Sequence, residues 1–255
     1  MTASNNQAIS TWDPFRGGVS AKKLWPYMEA MGNRQVKAAE LFLFDGRLSA
    51  AFLEPLRLVE LVMRELIHRE LTRHYGEYWM LLPEVIDGRS LEKVEATLIR
   101  VGKGAPADRI VSDLNLGLWA GLLQKGGPSS LDSRKSIKHK ETIWNPALSK
   151  VFCHGAPQRK EVATTLLRIS YLRNRIAHHE PIIFGITQPG TIMKNKQLKQ
   201  EPISAFLELI KVSQYMSPSL AVFLASRFPI LEMLEENISK QALAYSKDSK
   251  SFFWI

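Results

Sequence analysis

The sequence predicts an all-α fold, and three observations carry that prediction. Apolar residues recur at three- and four-residue spacing along most of the chain. Strand-like alternation is nearly absent. The apolar share, 45% of 255 residues, is enough to fill a helical core.

The elements follow in order. Residues 21–31 and 35–44 read as short helices. From Arg47 to Tyr75 the positions Leu48, Phe52, Leu56, Val59, Met63, Leu66 and Leu71 trace one long apolar stripe, blurred only by Glu70. Pro55 within it predicts a kink or a restart, and Gly76 a stop. Further helices are predicted over 91–101, 114–124, 145–152, 158–178, 203–215 and 218–243, the last broken near Arg227-Phe228-Pro229. The stretch 181–193, PIIFGITQPGTIM, is the best strand candidate. Its two prolines and two glycines favour a loop, with a short hairpin as the alternative. Residues 125–140, KGGPSSLDSRKSIKHK, read as an exposed loop between two helical halves of one domain. The expected organisation is a flexible segment over 1–20, a single helical domain over 21–243 and a tail over 244–255, with the terminal FFWI tucked onto the body or onto a partner.

Charge narrows the partners. Lys plus Arg number 34 against 25 Asp plus Glu, a net of +9, which favours a polyanion such as nucleic acid or an anionic membrane surface. The one cysteine, Cys153, excludes an intramolecular disulfide and a multi-cysteine metal cage, and suits a reducing cytosol. It is expected to be a small buried side chain. The polar N-terminus lacks the pattern of a secretory signal, and no apolar run reaches the roughly eighteen residues of a membrane span. A cytoplasmic protein is therefore expected.

The segment richest in chemistry is Gln158 to Pro181, QRKEVATTLLRISYLRNRIAHHEP. At about 100° per residue from Val162, the residues Leu166, Ile169, Leu172 and Ile176 fall within about 80° and form a buried face. Arg173 falls at about 20°, inside that arc. A guanidinium there cannot shed its charge, so it needs a partner or a wet cleft. Asn174 and His178, four apart, share another face. Histidine moves protons near neutral pH, arginine grips a phosphate oxyanion in two-pronged fashion, and asparagine orients a water, a ribose hydroxyl or an imidazole. These are the groups needed to cut a phosphodiester without a metal. The same residues also fit a helix C-terminus whose cationic side chains complement the dipole. Glu60, Arg64 and His68, at i, i+4 and i+8, line one face of the long helix, as would a solvated ion pair of little energetic weight.

RNRIAHH at Arg173 to His179 resembles the signature of HEPN-domain ribonucleases. The chain as a whole resembles the Abi-like, abortive-infection group of bacterial HEPN proteins. The matching stretches are FDGRLSAAFLEPLRLVELVMRELIHREL at Phe44 to Leu71, LNLGLWAGLL at Leu114 to Leu123, WNPALSKVF at Trp144 to Phe152 and LRNRIAHHEPII at Leu172 to Ile183. The resemblance implies a HEPN-type helical bundle with additional helices that pairs as a homodimer, its arginines and histidines facing one another across a composite cleft. It implies a metal-independent endoribonuclease without cofactor, a toxin used against phage, with an antitoxin protein or small RNA as a further partner. By position, Arg173, Asn174 and His178 match the catalytic motif. Glu60, Arg64, His68 and His179 fall on accessory positions, although Glu65 stands where asparagine is the commoner residue. The alternative within the same family is a non-catalytic module that binds RNA or a protein.

Two basic stretches are candidate contacts for an RNA backbone, or solvated loops. One is Arg134, Lys135, Lys138, His139 and Lys140. The other is Lys194, Lys196 and Lys199. No metal site is expected: His178, His179 and Glu180 diverge on a helix, and the HExxH spacing is absent.

Overall fold

The computed structural model of the protein describes residues 15, 18–193, 196–248 and 252–255. Most of the expected N-terminal segment therefore lies outside the described residues. Among those described, eleven α-helices and two small sheets form, so the protein is predominantly helical as its periodicity requires.

The helices are α1 (Ala21–Ala30), α2 (Gln35–Tyr75), α3 (Gly88–Val101), α4 (Ala107–Asp113), α5 (Leu116–Leu122), α6 (Ser149–Val151), α7 (Arg159–Ala177), α8 (Pro202–Met216), α9 (Pro218–Arg227), α10 (Ile230–Glu235) and α11 (Asn237–Asp248). The strands are β1 (Gly126–Pro128), β2 (Ser136–Lys138), β3 (Ile186–Met193), β4 (Lys196–Gln200) and β5 (Phe252–Trp254). The sequence predicts two helices where α2 is one. Gly46 only weakens the helix between Phe44 and Arg47. The buried positions Leu41, Phe44, Leu48 and Phe52 carry the stripe straight through it. Pro55 marks no restart, because α2 runs unbroken past it. Side chains set several boundaries. Asp87 accepts from Ser90 N at 2.9 Å to open α3, and Asn115 accepts from Leu118 N at 3.0 Å to open α5. Ser217 caps α9 with Pro218 in its first turn.

The chain divides into two compact units, and α2, α7 and α8 each contribute residues to both. One unit takes residues up to Leu53, Arg175–Ser204 and Pro229–Ile255. Its core gathers Leu24, Leu41, Phe44, Leu48, Ile182, Ile183, Ile186 and Leu198. It also holds the larger sheet, in which β3 pairs antiparallel with β4 and β5 adds parallel to β4. The loop expected over 181–193 is thus half of a hairpin, and the terminal FFWI supplies the third strand. Pro189 and Gly190 fall where the register shifts between Thr187 and Ile192, so the turn-forming residues sit at an irregularity and the strand survives them.

The other unit takes Glu54–Asn174 and Ala205–Phe228. Its core is built from Leu56, Met63, Ile67, Trp79, Trp119, Leu166, Phe206 and Leu209, with the Trp79 and Trp119 rings 6.1 Å apart. The loop expected over 125–140 contains the smaller sheet, the antiparallel pair of β1 and β2. The helical turn expected from Asn145 opens earlier, as a wide π-type helix over Lys140–Leu148. Pro146 lies inside it and offers no N–H, so an α-helix there would leave the Thr142 carbonyl without its partner. The Tyr75 hydroxyl donates to that carbonyl instead.

Candidate functional site

Helix α7 buries the face the periodicity predicts: Val162, Leu166, Ile169, Leu172 and Ile176 are all 6% exposed or less. Arg173, on that same arc, is half-buried where its neighbours are buried, and its Nη1 lies 3.4 Å from the Asn174 Oδ1. Asn174 is exposed.

The helix stops at Ala177, one residue short of the expected end. The premise that Asn174 and His178 share a helical face is therefore corrected: His178 is the capping residue. His179 adopts φ 53°, the left-handed conformation that reverses the chain. Its N–H donates to the Ile176 carbonyl at 3.1 Å, and the Glu180 N–H donates to the Arg175 carbonyl at 2.8 Å. That pair of bonds is the Schellman arrangement, which satisfies the last carbonyls of a helix. Glycine usually occupies the left-handed position. Histidine here gives no sequence signal for a stop, so pattern alone runs the helix on.

Side chains that sequence reasoning missed lock this turn. Arg175 donates from Nη2 to the Pro181 carbonyl at 2.8 Å and pairs through Nη1 with Glu180 at 3.3 Å. Burial lowers its guanidinium pKa. Asp45, 4% exposed on α2, accepts at Oδ1 from the Ile182 N–H at 3.1 Å and the Ile183 N–H at 2.9 Å. Its Oδ2 accepts from the Tyr27 hydroxyl at 2.6 Å. Burial pushes the Asp45 carboxyl upward, while the bonds from Tyr27, Ile183 and Ile182 pull it back. The same burial, with Asp45 beside it, raises the Tyr27 hydroxyl. The signal for Asp45 was present: an acid four residues after Leu41 and three before Leu48, on the apolar stripe. The result is an imidazole pair, His178 and His179, exposed on a turn whose backbone and flanks are tied down.

The accessory positions are arranged differently from the expectation. Arg64 does not turn to Glu60. Its Nη1 donates to the Ser112 carbonyl at 3.1 Å, and its Nε lies 3.6 Å from Glu65. His68 accepts at Nδ1 from the Trp79 indole N–H at 3.0 Å. Nε2 is then the protonated nitrogen, and it faces Asp108 at 3.4 Å. His68 and Asp108 line an open cleft of about 490 Å³ with Arg69, Arg73 and Glu77. In this tautomer His68 is a hydrogen-bond donor into the cleft.

The basic stretches also separate. Arg134, Lys135, Lys138, Lys140 and Lys196 are exposed. Arg134 is engaged by Asp132 at 3.0 Å, and Lys138 by Glu141 at 3.5 Å. Lys194 lies outside the described residues. His139 is fully buried, with Nε2 accepting from the Asp87 N–H at 3.4 Å, so it offers nothing to a phosphate. Lys199 is also buried, because β4 turns its side chain against Ser246 and two aromatic rings. Cys153, expected inside, is exposed: the chain leaves α6 there in a tight turn closed by the Ala156 N–H on the Cys153 carbonyl.

Among the described residues no three His, Cys, Asp or Glu side chains cluster in a way that would hold a metal ion, and no helix is long and apolar enough to cross a membrane. No family model, no curated protein and no solved structure matches the chain.

Proposed function

We propose that the protein is a metal-independent endoribonuclease of the HEPN type, working as a homodimer in the cytoplasm as an abortive-infection effector. One observation supports this most: the turn that ends α7 is clamped by Arg175, Glu180 and Asp45 and holds His178 in the open. A histidine that served only to finish a helix would not need Arg175, Glu180 and Asp45 all committed to fixing its turn.

The chemistry follows from the groups. The ribose 2′-oxygen attacks the adjacent phosphorus, forming the 2′-O–P bond, and the P–O5′ bond breaks. One His178 imidazole takes the 2′-hydroxyl proton. A second, as imidazolium, gives a proton to the departing O5′. One imidazole cannot reach both sides of an in-line displacement, so a second copy of the chain supplies the other. Arg173 stabilises the charge that builds on the phosphoryl oxygens, and Asn174 holds Arg173 or the ribose. The products are a 2′,3′-cyclic phosphate and a 5′-hydroxyl. DNA lacks the nucleophile and is spared. An antitoxin protein or a small RNA fits the role of a silencing partner.

The test is cleavage of structured RNA by the purified protein in EDTA, with the ends mapped. The wild type should leave 2′,3′-cyclic ends. His178→Ala should lose on the order of 10²–10⁴-fold in rate with an unchanged circular dichroism spectrum. Equal activity in the two proteins overturns the reading. Salt-sensitive RNA binding without cutting would make the chain a non-catalytic binding module instead.

A further inference from the structure

The unit that carries His178 also contains a pocket of about 490 Å³, a size that suits a small ligand. Its walls include Phe184, Tyr245 and Phe252, and two cations, Lys199 and Arg175, line it with them. Asp248 is exposed and also lines it.

Lys199 is the anomaly. Its side chain is buried, at 8% exposure, and among the described residues no carboxylate lies within ion-pair distance. One of its N–H groups donates to the Ser246 hydroxyl at 2.8 Å, and that hydroxyl donates onward to the Phe184 carbonyl. Two rings flank Lys199, and it still lines the pocket: the ammonium sits 4.5 Å from the Phe252 centroid and 5.0 Å from that of Trp254. A leucine at this position of β4 would satisfy the core at far lower cost, because a buried charge without a counter-ion is heavily penalised. Arg175 adds a second positive charge nearby. Its own partners, the Pro181 carbonyl and Glu180, belong to the turn. The pocket therefore combines apolar, ring-lined walls with an excess of positive charge, a pairing that suits a flat ring bearing an anion.

We propose that this pocket binds a nucleoside monophosphate, with the phosphate taken by Lys199 and Arg175 and the base laid against the aromatic walls. Asp248 is placed to accept from a ribose hydroxyl or an exocyclic amine. The site is independent of the nuclease reading and would stand if that reading failed.

Calorimetric titration of the full chain with AMP, adenosine and inorganic phosphate tests it. AMP should bind one to one, and more tightly than either fragment. Lys199→Met should weaken AMP on the order of ten- to hundredfold, the worth of one charge-assisted hydrogen bond, and leave adenosine unchanged. The exposed control Lys160→Met should bind as the wild type does. AMP affinity should also fall as pH rises past about 8, where burial has brought the Lys199 ammonium. AMP binding no tighter than phosphate, or equal in Lys199→Met, overturns the proposal. If Lys199→Met does not fold, Phe252→Ala and the pH series decide: unchanged affinity in both overturns it.

Discussion

His179 is the residue at which the backbone does the most unusual thing near the candidate site. A side chain with a Cβ is held at φ 53° because the Schellman bonds from His179 and Glu180 have no other geometry. Glycine adopts that conformation without steric cost, while losing more freedom on folding. His179→Gly should therefore raise stability by up to about 1 kcal/mol, read as a shift in the urea midpoint at constant slope. A loss of stability would mean that the His179 ring makes a contact worth more than the backbone strain. The same residue shows where sequence reading runs out. Arg173, Asn174 and His178 stand out as candidates by residue type, but their spacing does not show that the helix ends before His178. The clamp is not legible, because Arg175 and Glu180 look like ordinary surface charges until the chain folds back at Pro181. Asp45 is half legible: an acid on an apolar stripe announces a buried acceptor, but nothing in the sequence says that its donors lie at Ile182 and Ile183.

Elements with strong periodicity can be read from sequence with small boundary errors, and those made by partners cannot. α7 and α8 carry their own apolar faces, so local pattern suffices. β5 has three residues and no pattern of its own. It exists because β4 offers it an edge and because Gly185 leaves room for its tryptophan. Gly185 has φ 88°, and a Cβ there would sit 2.6 Å from the Trp254 ring. The glycine that reads as a loop former in PIIFGI is therefore a docking surface for the C-terminal strand. Gly185→Ala combines a positive φ with a clash against an aromatic ring. It should destabilise by about 2–4 kcal/mol and free β5, visible as faster amide exchange over 252–254. Normal protection there would show that the ring can slide aside. The π-type helix at Lys140–Leu148 teaches the same lesson: its proline is visible, but the tyrosine that repairs the missing bond comes from α2.

At the scale of the whole molecule, two expectations concern charge. The net of +9 is carried partly by Lys135, Lys138, Lys140 and Lys196, which are exposed, and if these meet phosphates, RNA affinity must fall steeply with salt. Replacing Lys135 and Lys140 with glutamine should weaken binding to all sequences alike and flatten the salt slope by about 0.7 for each of the two that engages a phosphate. An unchanged slope would assign both lysines to solvent. His139 governs the other expectation. Burial lowers its pKa below the ordinary 6.5, and Asp87 nearby, which raises it, does not offset that burial; Arg159 adds to the lowering. The folded protein therefore refuses a proton that the unfolded chain accepts. The stability that comes from a neutral His139 is complete above about pH 6.5 and drains away as pH falls toward the lower folded value. Urea midpoints measured from pH 8 down to pH 5 should fall accordingly. His139→Gln should lose part of that acid slope even if its overall stability is lower. The control matters because carboxylates also titrate in the lower part of this range: a slope identical in both proteins would place the acid sensitivity on them and not on the imidazole.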